Sequence, residues 1–224
     1  MASSSIFIYQ LISPEEINLE LLYSQLKRYS AGNNAYFNLE MISQNELLGE
    51  YIIVNKVQET YFDPKRRTFE SHVVSKANII FFTITDSFLE IWGNKTYANK
   101  LVFELSKLIS PISIINLQVR IDSFLEKVRN SKIKISKVCF KDVLFAKDIV
   151  GNFTVDLSSY GDPFSIVKKY CNKISSITII LYLGLTSIKL RITAKGRVFI
   201  YKARAAMDDE ELLFLHHILL NGGR

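Results

Sequence analysis

The chain is poor in the residue types on which most site chemistry depends. Its 224 residues include 2 cysteines, 3 histidines, 4 prolines and 1 tryptophan. Cys139 and Cys171 are too few for a disulfide framework, and they read as two buried free thiols in a reducing compartment. They form no zinc set with the lone His72 and the pair His216-His217, because zinc takes about four ligands and adjacent helix positions point about 100° apart. The 9 glycines are scattered and match neither the dinucleotide fingerprint nor the P-loop. No apolar run is long enough to cross a bilayer, and the opening MASSSIFIYQ lacks the charged region, apolar core and cleavage site of a secretory signal. The expectation is an intracellular, cytoplasmic protein with no cofactor, no metal and no membrane association. No complete catalytic signature is present, so the chain does not read as an enzyme.

Apolar residues make up 48% and charged residues 22%, a globular composition. The charge is unevenly distributed. Residues 1–119 carry 10 Lys and Arg against 12 Asp and Glu, residues 120–204 carry 17 against 6, and residues 205–224 carry 1 against 4. A net of +11 in the penultimate segment is thus flanked by −2 and −3. Such confinement fits an anion-binding surface better than general solubility charge. No stretch pairs a lysine-rich face with a strongly apolar one, so nucleic acid ranks above a lipid surface.

Residues 186–204, TSIKLRITAKGRVFIYKAR, concentrate that signal. Ile188, Leu190 and Ile192 alternate with Lys189 and Arg191 as on a half-buried strand. A two-residue turn at Lys195-Gly196 would set Lys189 opposite Lys202, with Arg191 and Arg204 on the same face. Like charges directly opposed across a ladder are destabilising, so their presence points to an anionic partner such as a phosphate backbone. The plain alternative is a solvated edge hairpin whose lysines discourage aggregation. Lys132 and Lys134, in KIKISKVCF, would extend the basic surface, and a phase shift near Ser136 predicts a bulge. Asp63-Pro64-Lys65-Arg66 is a type I turn signal, and Lys65, Arg66 and Arg67 on its tip would suit a finger laid on a phosphate backbone.

Taken in order, the chain predicts a strand at 5–12 and a helix capped by Ser13, Pro14 and Glu16, stopped at Gly32-Asn33-Asn34. Strands follow at about 35–42, at 51–62 and at 68–85, the last with a centre too apolar to face water. A helix capped by Asn94 ends at Ser110-Pro111. The second half opens with SIINLQV and a helix through Ile121, Phe124, Leu125 and Val128. About five further strands follow, with a helix capped by Asp162-Pro163 among them and a final helix capped by Asp208 and Glu211. The halves therefore read alike: strand, helix, several strands, helix. This predicts an α+β fold of two similar lobes, 1–110 and 111–224, each an antiparallel sheet with helices on one face. The element order resembles the two-lobed saddle of TATA-binding proteins and related helix-grip folds. That resemblance implies an open sheet face that grips DNA, with aromatic wedges that unstack bases.

The leading expectation is a non-enzymatic nucleic-acid-binding protein using Lys189, Arg191, Lys202, Arg204, Lys132, Lys134, Lys65, Arg66 and Arg67. An alternative is a structural subunit or adaptor that binds a partner protein through its sheet face or edge. A third is a Mg-dependent nuclease, since Asp63-Pro64-Lys65 has a carboxylate-x-lysine spacing and Glu46, Glu50 or Glu59 could add a carboxylate.

Overall fold

A computed structural model of the chain describes residues 3–29, 34–127, 133–146 and 149–223. It is an α+β fold built on antiparallel sheet, with five α-helices among the described residues. In chain order the elements are β1 (Ser4–Ile12), α1 (Leu19–Lys27), β2 (Ala35–Ser43), β3 (Glu46–Asp63), β4 (Thr68–Thr85), β5 (Phe88–Trp92), α2 (Lys95–Leu108) and β6 (Ser113–Asn116). They continue with α3 (Ile121–Lys127), β7 (Ile133–Ala146), β8 (Ile149–Asp156), α4 (Pro163–Lys169), β9 (Ile174–Leu183), β10 (Thr186–Thr193), β11 (Arg197–Ile200) and α5 (Asp209–Gly223). Among the described residues, no helix is long and apolar enough to cross a membrane. The chain divides into two compact units, Met1–Gln10 with Ile115–Arg224, and Leu11–Ile114.

The unit of Leu11–Ile114 is a meander in the order β2-β3-β4-β5. Leu47, Tyr51 and Ile53 of β3 lie opposite Ile84, Ile80 and Asn78 of β4, and all but Asn78 are buried in the layer shared with α1 and α2. Leu19, Leu22 and Leu26 of α1 and Ala98, Leu101 and Leu105 of α2 supply the opposing apolar faces. At Gly49 the ring of Phe82 occupies the space of a side chain: a Cβ there would lie 2.2 Å from the Phe82 ring. The turn at Asp63 forms as its sequence predicts, with Asp63 Oδ1 accepting from the backbone N–H of Lys65 (2.8 Å) and Arg66 (3.3 Å).

Helix α1 starts later than predicted. Asn18 Oδ1, not Ser13, caps it by accepting from Leu21 N–H, while Ser13 Oγ accepts from Glu15 N–H. Both sites satisfy backbone donors locally, and the three buried leucines select the later start because they place one whole face in the core. The predicted stop at Gly32-Asn33 lies outside the described residues.

The other unit has the strand order β1-β11-β10-β9-β7-β8. Its core layer combines Ile177, Ile179 and Leu181 with Ile188, Leu190 and Ile192, every one of them buried. Phe124, Leu125, Leu215, Ile218 and Leu219 of α3 and α5 are buried with them. The bulge predicted near Ser136 is present, as the β7–β9 register shifts between Ile135 and Lys137. Asp208 and Glu211 form the predicted reciprocal cap: Glu211 N–H donates to Asp208 Oδ1 at 2.8 Å and Asp208 N–H donates to Glu211 Oε2 at 3.2 Å.

The β10–β11 hairpin is one register off its prediction. Leu190 pairs with Ile200 and Arg191 with Phe199, so Lys189 stands opposite Tyr201 rather than Lys202, and no like-charge pair is opposed there. The physical cause is the turn. A two-residue Lys-Gly turn of the hairpin type needs positive φ at both positions, which lysine resists. The chain instead uses the three residues 194–196 with only Gly196 left-handed, at φ 71°. Gly196 is also packed too closely for a side chain, since a Cβ would lie 2.8 Å from the Leu117 carbonyl oxygen and 2.9 Å from that of Ile8.

Candidate nucleic-acid interface

In the unit containing β7 to β11, the sheet face opposite α3 and α5 is open. Antiparallel pairing sets directly opposed residues on one face, so the register defines transverse rows across it. The first row runs Lys134, Ile180, Lys189, Tyr201. The second runs Asp156, Lys137, Thr178, Arg191, Phe199, Ser5. The third carries Thr154, Cys139, Ser176 and Thr193, then Arg197 with Phe7. Strands lie roughly 4.8 Å apart and alternate residues about 7 Å apart, so the cations form a grid with spacings of about 5 to 10 Å.

The floor of this face is polar and closed. Ser176 and Thr178 are 2% and 5% exposed, covered by the side chains above them. Arg191 lies flat, with Nε donating to Ser176 Oγ at 3.0 Å and Nη2 directed at Cys139 Sγ at 3.8 Å. Arg197 is sandwiched between the rings of Phe7 and Phe199, with its guanidinium carbon 4.8 and 4.0 Å from their centroids. Burial lowers the Arg197 pKa from its ordinary value, yet arginine remains a cation at any physiological pH. Lys189 Nζ stands 5.2 Å from the Tyr201 ring centroid. Of the five cations, only Lys137 has a carboxylate within reach, Asp156 at 3.8 Å, among the described residues.

The sequence candidates separate accordingly. Lys134, Lys189 and Arg191 come together on the open face. Lys202 turns away from it: its Nζ donates to both oxygens of Glu211, 2.7 Å to Oε1 and 2.5 Å to Oε2, at the start of α5. Arg204 follows β11 in a short 3₁₀ turn, and its backbone N–H donates to Ser4 Oγ at 2.7 Å. Lys132 lies outside the described residues. Lys137 and Arg197 were missed as site residues, and so were the aromatic rings. The signal for Lys137 was the bulge, which returns an odd-numbered lysine to the face of Lys134; the signal for Arg197 and Phe199 was the three-residue turn.

Lys65, Arg66 and Arg67 sit elsewhere, at the tip of the β3–β4 hairpin. Both strands are 18 residues long and paired throughout, from Glu46 opposite Thr85 to Asp63 opposite Thr68. Pairing of β2 with β3 ends at Ile53, and pairing of β5 with β4 covers Phe82–Ile84. The outer part, residues 55–76, is therefore a two-stranded ribbon with no third strand among the described residues. One of its faces holds Glu59, Asp63 and Glu70, each engaged. Glu59 pairs with Lys76, Glu70 accepts from Tyr61 and Arg66 at 2.8 Å each, and His72 stacks on Tyr61 with centroids 5.0 Å apart. The Tyr61 and Arg66 hydrogen bonds hold the Glu70 carboxyl below its usual pKa. The opposite face has no carboxylate and exposes Phe62, Phe69 and Val73, the last two 76% and 69% exposed.

Of the carboxylates of the nuclease alternative, Glu59 shares a face with Asp63 four residues away, roughly 13 Å at strand rise, and is paired with Lys76. Glu46 and Glu50 lie 17 and 13 residues before Asp63 on β3, roughly 56 and 43 Å away at strand rise. Among the described residues, no group of three His, Cys, Asp or Glu side chains could hold a metal ion. Both cysteines are free and half-buried rather than fully buried. No protein-family model matches the chain, and neither does any curated protein.

Proposed function

We propose that this is a non-enzymatic nucleic-acid-binding protein that holds the phosphate backbone on the open face of β7, β9, β10 and β11. The observation that carries this reading is the grid itself: Lys134, Lys137, Lys189, Arg191 and Arg197 interleaved with Phe199 and Tyr201, with Asp156 the single carboxylate in the three rows. Cations on such a surface meet phosphates, and flanking rings offer stacking planes to bases or sugars. Lys202 is left out of this set because Glu211 already neutralises it on the helix side. The saddle-like reading of two related lobes belongs to the same proposal and rests on element order alone, strand, helix, strands, helix twice over, with α4 inserted in the second run and β1 grouped with the unit of residues 115–224.

The test is fluorescence anisotropy with labelled single- and double-stranded DNA and RNA, at about 50 and about 200 mM salt. Wild type should bind with steep salt dependence, and Lys189→Gln/Arg191→Gln should weaken binding by about tenfold or more. Wild type that binds none of the four, or a double variant that binds as well as wild type, would refute the reading.

One observation favours the second reading, an adaptor that docks a partner protein by a sheet edge. β8 ends the strand order, and Val150 and its cross-strand partner Leu144 are 60% and 66% exposed there. Under that reading Val150→Lys removes a co-purifying partner and leaves nucleic-acid binding unchanged.

A further inference from the structure

We propose that the outer β3–β4 ribbon is a separate nucleic-acid contact that lies in a groove of a double helix, with Phe62, Phe69 and Val73 toward the groove and Lys65 and Arg67 on phosphates at its tip. This rests on the reading of the chain as a nucleic-acid binder but uses none of the residues of the open face.

Charge is segregated between the two faces of the ribbon. All three carboxylates of the ribbon are on one face, and each is occupied by a cation, a hydroxyl or backbone N–H groups. The other face, Lys56 to Phe62 on β3 and Phe69 to Ser75 on β4, presents hydroxyls, an amide, apolar side chains and one lysine. Between Lys56 and Phe62 an anion meets no like charge on that face; Glu50 and Glu46 lie further in, beyond Val54. At the tip, Arg66 is taken by Glu70, but Lys65 and Arg67 have no carboxylate within ion-pair distance among the described residues. The complement of such a face is anionic at its rim and tolerant of apolar groups inside, which describes a duplex groove bounded by phosphates.

The shape of the ribbon also matches a groove. Two strands with side chains make a ribbon of about the width of the major groove, roughly 12 Å, which admits a two-stranded β-ribbon. From Val54 to Phe62 the face extends roughly 27 Å at strand rise, or about 8 base pairs. The pairing is continuous along that length, and Thr60 and Ser71 bridge across it at 2.9 Å, so the ribbon holds its form. A single strand offers no groove to match it. A protein partner could cover Phe69 and Val73 but would leave the acid-free face and the tip cations unexplained.

The experiment compares wild type with three variants on a 30-base-pair duplex and on the matching single strand. The first replaces residues 56–75 by Asn-Gly, which keeps Asn55 opposite Lys76. The second is Lys65→Gln/Arg67→Gln, at exposed tip positions where folding is not at issue. The third is Lys189→Gln/Arg191→Gln. Hydroxyl-radical footprints should shorten by about 8 base pairs with the shortened ribbon. The slope of log K against log salt on duplex should flatten by about 2 with the tip variant. The open-face variant should lose affinity and keep the ribbon's part of the footprint. An unchanged footprint and slope in both ribbon variants would overturn the proposal while leaving the open-face reading intact. Binding of wild type to single strands alone would do the same, whereas no nucleic-acid binding at all would end both. Unchanged duplex binding, with self-association or a protein partner lost in Phe62→Ala/Phe69→Ala, would assign the ribbon to protein instead.

Discussion

At the scale of single residues, position relative to the sheet decides whether a cation is available. Lys202 and Lys189 both lie at the end of the β10–β11 hairpin, yet one neutralises Glu211, a carboxylate 1% exposed, and the other faces solvent. Lys202→Ala is therefore expected to strand a buried charge and cost about 3 kcal/mol, read as a lowered urea midpoint, with nucleic-acid affinity unchanged. A loss of affinity without loss of stability would return Lys202 to the binding surface. Cys139 gives a second readout on the same face. Burial pushes its thiol pKa up, but hydrogen bonds from Ser176 and Thr154 and the charge of Arg191 outweigh that, and the net shift is downward. The depressed value stabilises the fold above the pKa of an unfolded cysteine, and this contribution is lost as the pH falls through the folded value. Iodoacetamide should accordingly alkylate Cys139 with a midpoint below that of a free cysteine, and Arg191→Gln should move the midpoint up. An unmoved midpoint would show that Arg191 does not touch the thiol in solution. None of this was legible in the sequence, where Cys139 read as an ordinary core position; its partners are 15 to 52 residues away in the chain.

At the scale of elements, what was readable is what depends on neighbouring residues. Caps at Asn94, Asp162 and Asp208, the turn at Asp63 and the bulge at Ser136 all follow from side chains within a few positions of the backbone groups they satisfy. The hairpin register was not readable from alternation, because alternation is the same for either register until the turn type is fixed. The sequence also did not show where the third strand ends beside β3 and β4, although NKVQET and ESHVVSK mix polar residues into both faces, as a free ribbon requires. Gly49 belongs to this scale too, as an element contact rather than a turn. Gly49→Ala drives a methyl group into the ring of Phe82, which is 2% exposed and has little room to retreat. The expected cost is about 1–3 kcal/mol, seen in thermal or urea unfolding. In a Phe82→Leu background that increment should shrink, and equal costs in both backgrounds would place the strain elsewhere.

At the scale of the whole molecule, charge is divided between the two units. The unit of residues 1–10 and 115–224 carries 18 Lys and Arg against 10 Asp and Glu, a net of +8, and that of residues 11–114 carries 10 against 12, a net of −2. In the latter, the sheet face of Ile52 carries Glu40, Glu46 and Glu50 and no lysine or arginine as far as Ile52. Phosphate is thus attracted to the five cations in one unit and repelled from the inner stretch of Glu40, Glu46 and Glu50 in the other, which ends short of the β3–β4 ribbon. For a single strand, five neutralised phosphates predict a salt slope of about −3.5, measurable by anisotropy between 50 and 200 mM salt. A slope near −1 would mean that the grid is not used. The sequence made the excess of basic residues legible as a block, but not which five of them share one face, which depends on strand order across the sheet. That order has a further consequence for how the chain is made. β1 pairs with β11, Ser4 opposite Ile200, so a strand is completed by one synthesised about 190 residues after it. At about 5–20 residues per second, residues 4–10 wait roughly 10–40 s for β11, with β6 as the earlier partner, while residues 11–114 emerge as one uninterrupted segment. During that interval a nascent β-branched and aromatic strand, SSIFIYQ, is the part of the chain that most needs shielding by a chaperone.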